Sequence, residues 1–579
     1  MNLKRIAAVL FTSMFAYGSI SSVSACTMVY VGSDVSDDGS SIIARSEDSS
    51  VNHNKMFKVH PAEDHAAGAM FTDMTGFTMP LPSHTYRYTL VQDDYTDDGT
   101  PDAEGFSAAG YNENGVSLTA TVSTSYNSSI KALDPLVKGT GITEESMTGV
   151  LLSQATSARQ GVELMASIVE TYGAGECNTI MFSDQNEAWY MEIVAGHQYA
   201  AIKMPTDKVA VIPNMMMLGE IASYPATDVI KSVNLEKTAV DAGTAQYDDQ
   251  NRFLVAKSYM SGYSSGNTYR VWGGKNLLAP SIINTVDPTP ASATGMDLLF
   301  SPDKKVGIMD VVNVLGYRYE GTPYATDTTG YRAIGADTQM EIHIQQQRKN
   351  MPKELAGLQW LAMGNGEFTV YVPYYAQLLT DTHDAYKITT GNNARGVKTD
   401  AIGSKFDENS FYWNFMMVQE LSSRNRAMYG SNVKAYWRGY QQKLIEQQKA
   451  VDQGMLQLYN TDKSQLSAKA TSLGKAVAGE VLGHEKTILK ELTAFVDANP
   501  SPTTAFVPSL MNGGAVDPSY SFNMDVEPQP QPEPEKPADE THKTGVPTGD
   551  STNVGALAST FGVTGLAAAV LFLLKRKAA

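Results

Sequence analysis

The sequence predicts an α+β protein, and three observations predict it. Short runs with apolar residues at every second position, bounded by turn residues, crowd the first two thirds of the chain. Helical stretches with apolar residues three and four apart interrupt them over 143–172. From residue 407 to 496 the pattern is helical throughout. Strand runs followed by a separate helical region are the mark of an α+β arrangement.

Residues 1–25 have the three parts of a secretory signal and are excluded from the fold. Lys4 and Arg5 give the positive start, residues 6–16 a mostly apolar core, and Val23 and Ala25 the small positions before Cys26. That core is too short to span a bilayer permanently. The junction Val23-Ser24-Ala25-Cys26 supports two readings: a cut that makes Cys26 the mature N-terminus, or a lipobox that lipidates its sulfur. The run Thr27-Met28-Val29-Tyr30-Val31 favours the first, because it reads as a strand at once, whereas a lipoprotein needs a flexible tether there.

In order, the catalytic region is expected over 26–400. Residues 26–50 read as strand, turn, strand. Asp34, Asp37, Asp38 and Gly39 supply turn chemistry, and Ser41-Ile42-Ile43-Ala44 delivers Arg45-Ser46-Glu47-Asp48 at its end. A hairpin there returns Arg45 and Asp48 to Cys26. Residues 51–102 read as irregular. His53, His60 and His65 match no compact ligand spacing and read as surface histidines. The run 93–99 lacks the closing Glu of a calcium loop and reads as an acidic turn. Asn114-Gly115 is a hairpin turn ahead of a strand over 116–123. Helices are expected over 144–154 and 161–172, and strands over 178–183, 187–194, 198–203 and 208–212. Further helices are expected near 225–240 and 251–260, and strands within 338–375, including 359–363 and 368–372. A helical part over 401–522 holds 432–459 and 463–496 as an antiparallel pair.

Residues 523–554 form a Pro/Glu-rich linker, extended and self-repelling. Residues 555–574 carry no charge and are long enough to span a hydrocarbon core. Lys575-Arg576-Lys577 in the tail 575–579 marks the cytoplasmic side. The expectation is a membrane anchor with the upstream domain on the extracellular face of a Gram-positive-type cell. Val546-Pro547-Thr548-Gly549 departs from a sortase signal in its leucine and spacing.

A net charge of −18 argues against nucleic acid as a partner. Two cysteines in 579 residues make no disulfide framework, and Cys177 reads as a buried thiol ahead of Thr179-Ile180-Met181-Phe182. Paired CxxC and HExxH motifs are absent from the sequence, so metal-assisted hydrolysis has little support. What the front of the chain does offer is a thiol nucleophile and an α-amine on one residue. The amine, with a pKa of roughly 8, takes the thiol proton and returns it to the leaving group. Arg45 favours the thiolate, and Asp48 is placed to orient the amine.

Cys26-Thr27 followed by Asp38-Gly39-Ser40-Ser41-Ile42-Ile43-Ala44-Arg45-Ser46-Glu47-Asp48 resembles the start of the dipeptidase A family of cysteine peptidases, within the N-terminal nucleophile hydrolases. Asn112-Glu113-Asn114-Gly115-Val116, Glu187-Ala188-Trp189-Tyr190-Met191-Glu192, Pro213-Asn214, Tyr269-Arg270-Val271-Trp272 and Gln359-Trp360-Leu361-Ala362-Met363 extend the resemblance over roughly 26–500. It implies a four-layer αββα sandwich and cofactor-free cleavage of dipeptides. It is similar, more distantly, to penicillin V acylases and bile salt hydrolases. From these the implied site is Cys26, Arg45, Asp48, Asn214 as oxyanion donor, and Arg270. A second Asn of those relatives has no clear counterpart here; the aligned strand offers Thr121, Val122 and Ser123. Two other functions stay open at this point: hydrolysis of acylated amides, and a surface lipoprotein.

Overall fold

A computed structural model describes residues 26–49, 54–73, 75–94, 106–120, 124–389, 406–511 and 518–522. The first of its two compact units runs from Met1 to Glu527; the second, Pro528–Ala579, lies outside the described residues. So do the signal segment 1–25, the linker 523–554, the span 555–574 and the tail 575–579. Among the described residues no helix is long and apolar enough to cross a membrane.

Two antiparallel sheets form the centre. The six-stranded sheet has the order Val209–Ile212, Thr27–Val31, Ser41–Asp48, Gln339–Gln347, Gly357–Met363, Val372–Tyr374. The eight-stranded sheet runs Val229–Lys231, Tyr199–Lys203, Ala188–Ile193, Thr179–Ser183, Ser117–Ala120, Ser107–Tyr111, Tyr88–Asp93, Lys55–His60. The Ser41–Asp48 strand touches Ser117–Ala120 and Thr179–Ser183, so the sheets stack face to face. Helices Glu144–Leu152 and Ala158–Tyr172 cover the outer face of the eight-stranded sheet. Ser265–Leu278, Ile308–Leu315, Phe411–Arg424 and Leu466–Ala498 cover the six-stranded one. The layers are therefore α, β, β, α, with Ser431–Thr461 packed on Leu466–Ala498 as the expected antiparallel pair.

Strand periodicity builds these layers. Leu118, Ile180, Phe182, Trp189 and Met191 point to the helices and join one core; Met181 and Tyr190, one position out of phase, join the core between the sheets. Both faces are buried, so these strands read as near-continuous apolar runs.

Four expectations need correction. Residues 51–102 are not irregular throughout: among those described, Lys55–His60 and Tyr88–Asp93 pair and close one edge of the larger sheet. Their buried Lys55 and Asp93 break the apolar alternation that marks a strand. The segment near 225–240 is a short strand, Val229–Lys231, and then a helix, Leu235–Asp241, because the strand finds a partner in Tyr199–Lys203. The strand expected over 368–372 is largely a turn: Phe368 N donates to Asn365 O, and pairing starts at Val372. Arg45 to Asp48 lie within a strand rather than after it.

The helix Ser265–Leu278 settles closely on the strand Val209–Ile212 and on Tyr319 through two glycines. A Cβ on Gly274 would run into Val211, and one on Gly273 into the Tyr319 ring. This close approach carries Arg270, one turn earlier, to the strand ends where Cys26 sits.

Candidate active site

The hairpin forms as its turn residues dictate, with Thr27 opposite Ser46 and Met28 opposite Arg45. Period-two alternation sends Arg45 and Glu47 to the inter-sheet face of their strand and Ser46 and Asp48 to the helix face. On the other side, Met28 pairs with Ile212, and continuing that register sets Asn214 opposite Cys26. Three separate strand ends thus meet at the cysteine.

Cys26 is fully buried. Arg45 Nη2 donates to its sulfur at 3.1 Å and to Glu144 Oε1 at 2.7 Å. Arg45 is itself fully buried, as are Glu47, Glu144 and Glu341 to within a few per cent. Its Nη1 stands 3.8 Å from Glu47 and 3.9 Å from Glu341. Glu47 also takes Lys55 Nζ at 2.6 Å, and Lys55 pairs with Asp93. His343 lies beside Glu341, at 3.0 Å, and contacts Thr119 at 2.7 Å. A charged layer therefore runs between the sheets, with Arg45 as its link to the thiol.

Arg270 holds the other side of Cys26. Nη1 donates to the Cys26 carbonyl and to Thr27 Oγ1 at 3.1 Å. Nη2 donates to Asn214 Oδ1 at 3.1 Å and Asn267 Oδ1 at 2.6 Å, and Nε to Gly266 O at 2.7 Å. Asn267 Nδ2 in turn donates to Asn214 O at 2.8 Å. Engaging Asn214 Oδ1 fixes which end of that amide is the donor end, as an oxyanion donor requires.

The electrostatics correct one expectation. Arg45 does pull the Cys26 thiol toward ionisation. Burial opposes it more strongly, and Glu144, Asp48 and Glu47 add to the opposition, so the thiol is pushed up to about 12. A resident thiolate is not what this arrangement favours; the proton must leave to a base during attack. Burial also raises Asp48 to about 6, against the pull of Arg332, Arg270 and Arg45. Burial, then Arg332, lowers Arg270 to about 10, so it keeps its charge at neutral pH.

All five residues singled out from the sequence converge: Cys26, Arg45, Asp48, Asn214 and Arg270. Sequence reasoning missed Arg332, which forms an ion pair with Asp48 across 284 positions. It also missed Glu144 and Asn267. A buried acid opening a helix and an Asn one turn before Arg270 are faint signals, readable once the fold is known. Thr121, Val122 and Ser123 lie outside the described residues, as do His53 and residues 95–99 of the acidic turn. His60 stacks on Tyr88 at 4.7 Å and contacts Gln92; His65 contacts Thr85. Cys177 is buried and free, its thiol raised by burial, as expected of a packing residue.

Comparison with known proteins matches "Peptidase family C69" over residues 25–439. The chain is 33% identical to the probable dipeptidase B of Streptococcus pyogenes serotype M1 over 493 residues, which cover 82% of this chain and 94% of that protein. It is 34% identical to a probable dipeptidase of Salmonella dublin over 367 residues, 61% of this chain and 81% of that one. Among solved structures, penicillin V acylase from Agrobacterium tumefaciens aligns with 12% identity and a TM-score of 0.28, over 60% of this chain and 85% of that one.

Proposed function

The chain belongs to peptidase family C69, and we propose that it is a cysteine dipeptidase whose nucleophile is Cys26, made N-terminal by removal of residues 1–25. The observation that carries this reading is the double grip on one residue: Arg45 on the Cys26 sulfur and Arg270 on its carbonyl. Two features support a free Cys26. The first strand starts at Thr27, directly after Cys26, where a lipid-anchored protein carries a flexible tether. Residues matching the family begin at position 25.

In the proposed reaction the α-amine of Cys26 takes the thiol proton as sulfur attacks the peptide carbonyl. The need for that base follows from a thiol held at about 12. Asn214 Nδ2 donates to the oxyanion that forms, a contribution worth about 3 kcal/mol per donor in other enzymes. Collapse breaks the C–N bond, and the ammonium returns its proton to the departing C-terminal amino acid. A water then attacks the thioester, giving up a proton to the same amine. The N-terminal amino acid leaves, and the proton goes back to sulfur. Asp48, held by Arg332, orients the amine. The enzyme acts outside the cell, tethered through 555–574 by way of the linker 523–554.

Intact mass and dipeptide hydrolysis test the proposal together on protein recovered from its native secretion route. The expected mass begins at Cys26 without adducts, and Cys26→Ala abolishes turnover. A diacylglycerol adduct on Cys26, or full turnover by the alanine variant, refutes it.

A further inference from the structure

A dipeptide carries a free α-ammonium two bonds from the carbonyl carbon under attack. With bonds of about 1.46 and 1.52 Å, that nitrogen lies about 2.5 Å from the carbon. Sulfur must approach the same carbon to about 3–3.5 Å. A carboxylate reading the ammonium at about 2.8 Å therefore has to stand within about 9 Å of the sulfur, on its own face of the strand.

Several buried acids surround Arg45, and the geometry separates them. Glu47 and Asp93 are drawn to Lys55, and Glu341 lies against His343. Asp48 points to the opposite face of its strand and pairs with Arg332. Glu144 shares a single donor atom with the nucleophile: Arg45 Nη2 is 3.1 Å from Cys26 Sγ and 2.7 Å from Glu144 Oε1. The sulfur and that oxygen cannot be farther apart than those two contacts laid end to end, well inside the required reach.

A second observation points to a ligand that carries acceptor oxygens into the same place, as the carbonyl and carboxylate of a dipeptide do, since an ammonium cannot satisfy a guanidinium N–H. Arg45 is fully buried, yet its Nε and Nη1 have no hydrogen-bond partner among the described residues. The acids nearest Nη1 stand beyond hydrogen-bond reach, so these two donors are left for an acceptor on the ligand.

We propose that Glu144 accepts the α-ammonium of the substrate's N-terminal residue and so restricts the enzyme to dipeptides with an unblocked amine. This rests on the dipeptidase reading. It also predicts that acylated amides, which lack the ammonium, are poor substrates.

The test compares kcat/KM for Leu-Gly with that for its desamino analogue, 4-methylpentanoyl-glycine, in wild type, Glu144→Gln and Glu144→Asp. Wild type is expected to prefer the amine form by about 30-fold or more, the loss usual for one partner of a buried charge pair. Glu144→Gln should bring the ratio near unity, chiefly through KM, and Glu144→Asp should restore part of it. A ratio unchanged in Glu144→Gln, with both rates reduced equally, means that Glu144 only supports Arg45 and overturns the proposal. Inhibition of wild type by leucinamide and by 4-methylpentanamide needs no variant: equal inhibition constants also overturn it. Failure of wild type to cleave Leu-Gly would instead remove the dipeptidase reading beneath it.

Discussion

Replacing Arg270 by lysine keeps a cation beside Cys26 and removes the fork. The guanidinium serves five acceptors: Cys26 O, Thr27 Oγ1, Asn214 Oδ1, Asn267 Oδ1 and Gly266 O. A lysine ammonium has three donors at one point and cannot bridge the two sides of that arrangement. At least two charge-assisted hydrogen bonds are lost, each worth about 1.5–3 kcal/mol, for about 3–6 kcal/mol in all. Against a total stability of roughly 5–15 kcal/mol that is a large fraction, so the variant is markedly weakened. The catalytic loss is separate. Asn214 loses the contact that fixes its amide, and a misplaced oxyanion donor costs about 10²–10³ in kcat. Urea unfolding, near-ultraviolet circular dichroism and dipeptide turnover measure both effects on one preparation. Lowered stability with kcat within about fivefold of wild type would show that Arg270 only braces the strand ends, and the reasoning about Asn214 would fail with it.

Two further outcomes follow from buried groups. Asp48 titrates near 6 in the folded protein, above its ordinary 3.8. Its contribution to stability is therefore fully present below pH 3.8 and is lost as pH rises through 6, so Asp48→Asn should remove that fall between pH 4 and 6 while lowering turnover at pH 7 by at least tenfold. Unfolding and rate profiles against pH check both parts; an Asp48→Asn rate equal to wild type would separate Asp48 from the chemistry. Cys177→Ser should leave turnover within about twofold and cost about 1–3 kcal/mol of stability for a buried hydroxyl, read by urea unfolding; a lost rate would make Cys177 part of the site.

Much of the site was legible because it is local. A turn of Asp and Gly between two apolar runs compels a hairpin, and the hairpin alone returns Arg45 to Cys26. Asn214 and Arg270 came from resemblance, and the fold explains them through the neighbouring strand and the two-glycine helix. What stayed hidden is the charge between the sheets. Lys55 and Asp93 are core residues by position and surface residues by chemistry, so their strands escaped a reading built on hydrophobic period. Glu144 and Arg332 each meet the site through long-range contacts that no spacing records. The raised thiol is likewise a property of burial and of three convergent acids, not of the motif that carries Arg45.

The central claim is that the base is the α-amine of Cys26 itself. Its most direct test is turnover of two folded forms with identical residues from 26 onward, one beginning at Cys26 and one retaining an uncleavable extension before it. An amide nitrogen cannot take the thiol proton, and no resident thiolate is available in its place. The extended form should bind zero turnover to an intact fold, with circular dichroism unchanged and dipeptide hydrolysis below about one thousandth of the processed form. Equal hydrolysis by both forms would show that another group takes the proton and would contradict the account.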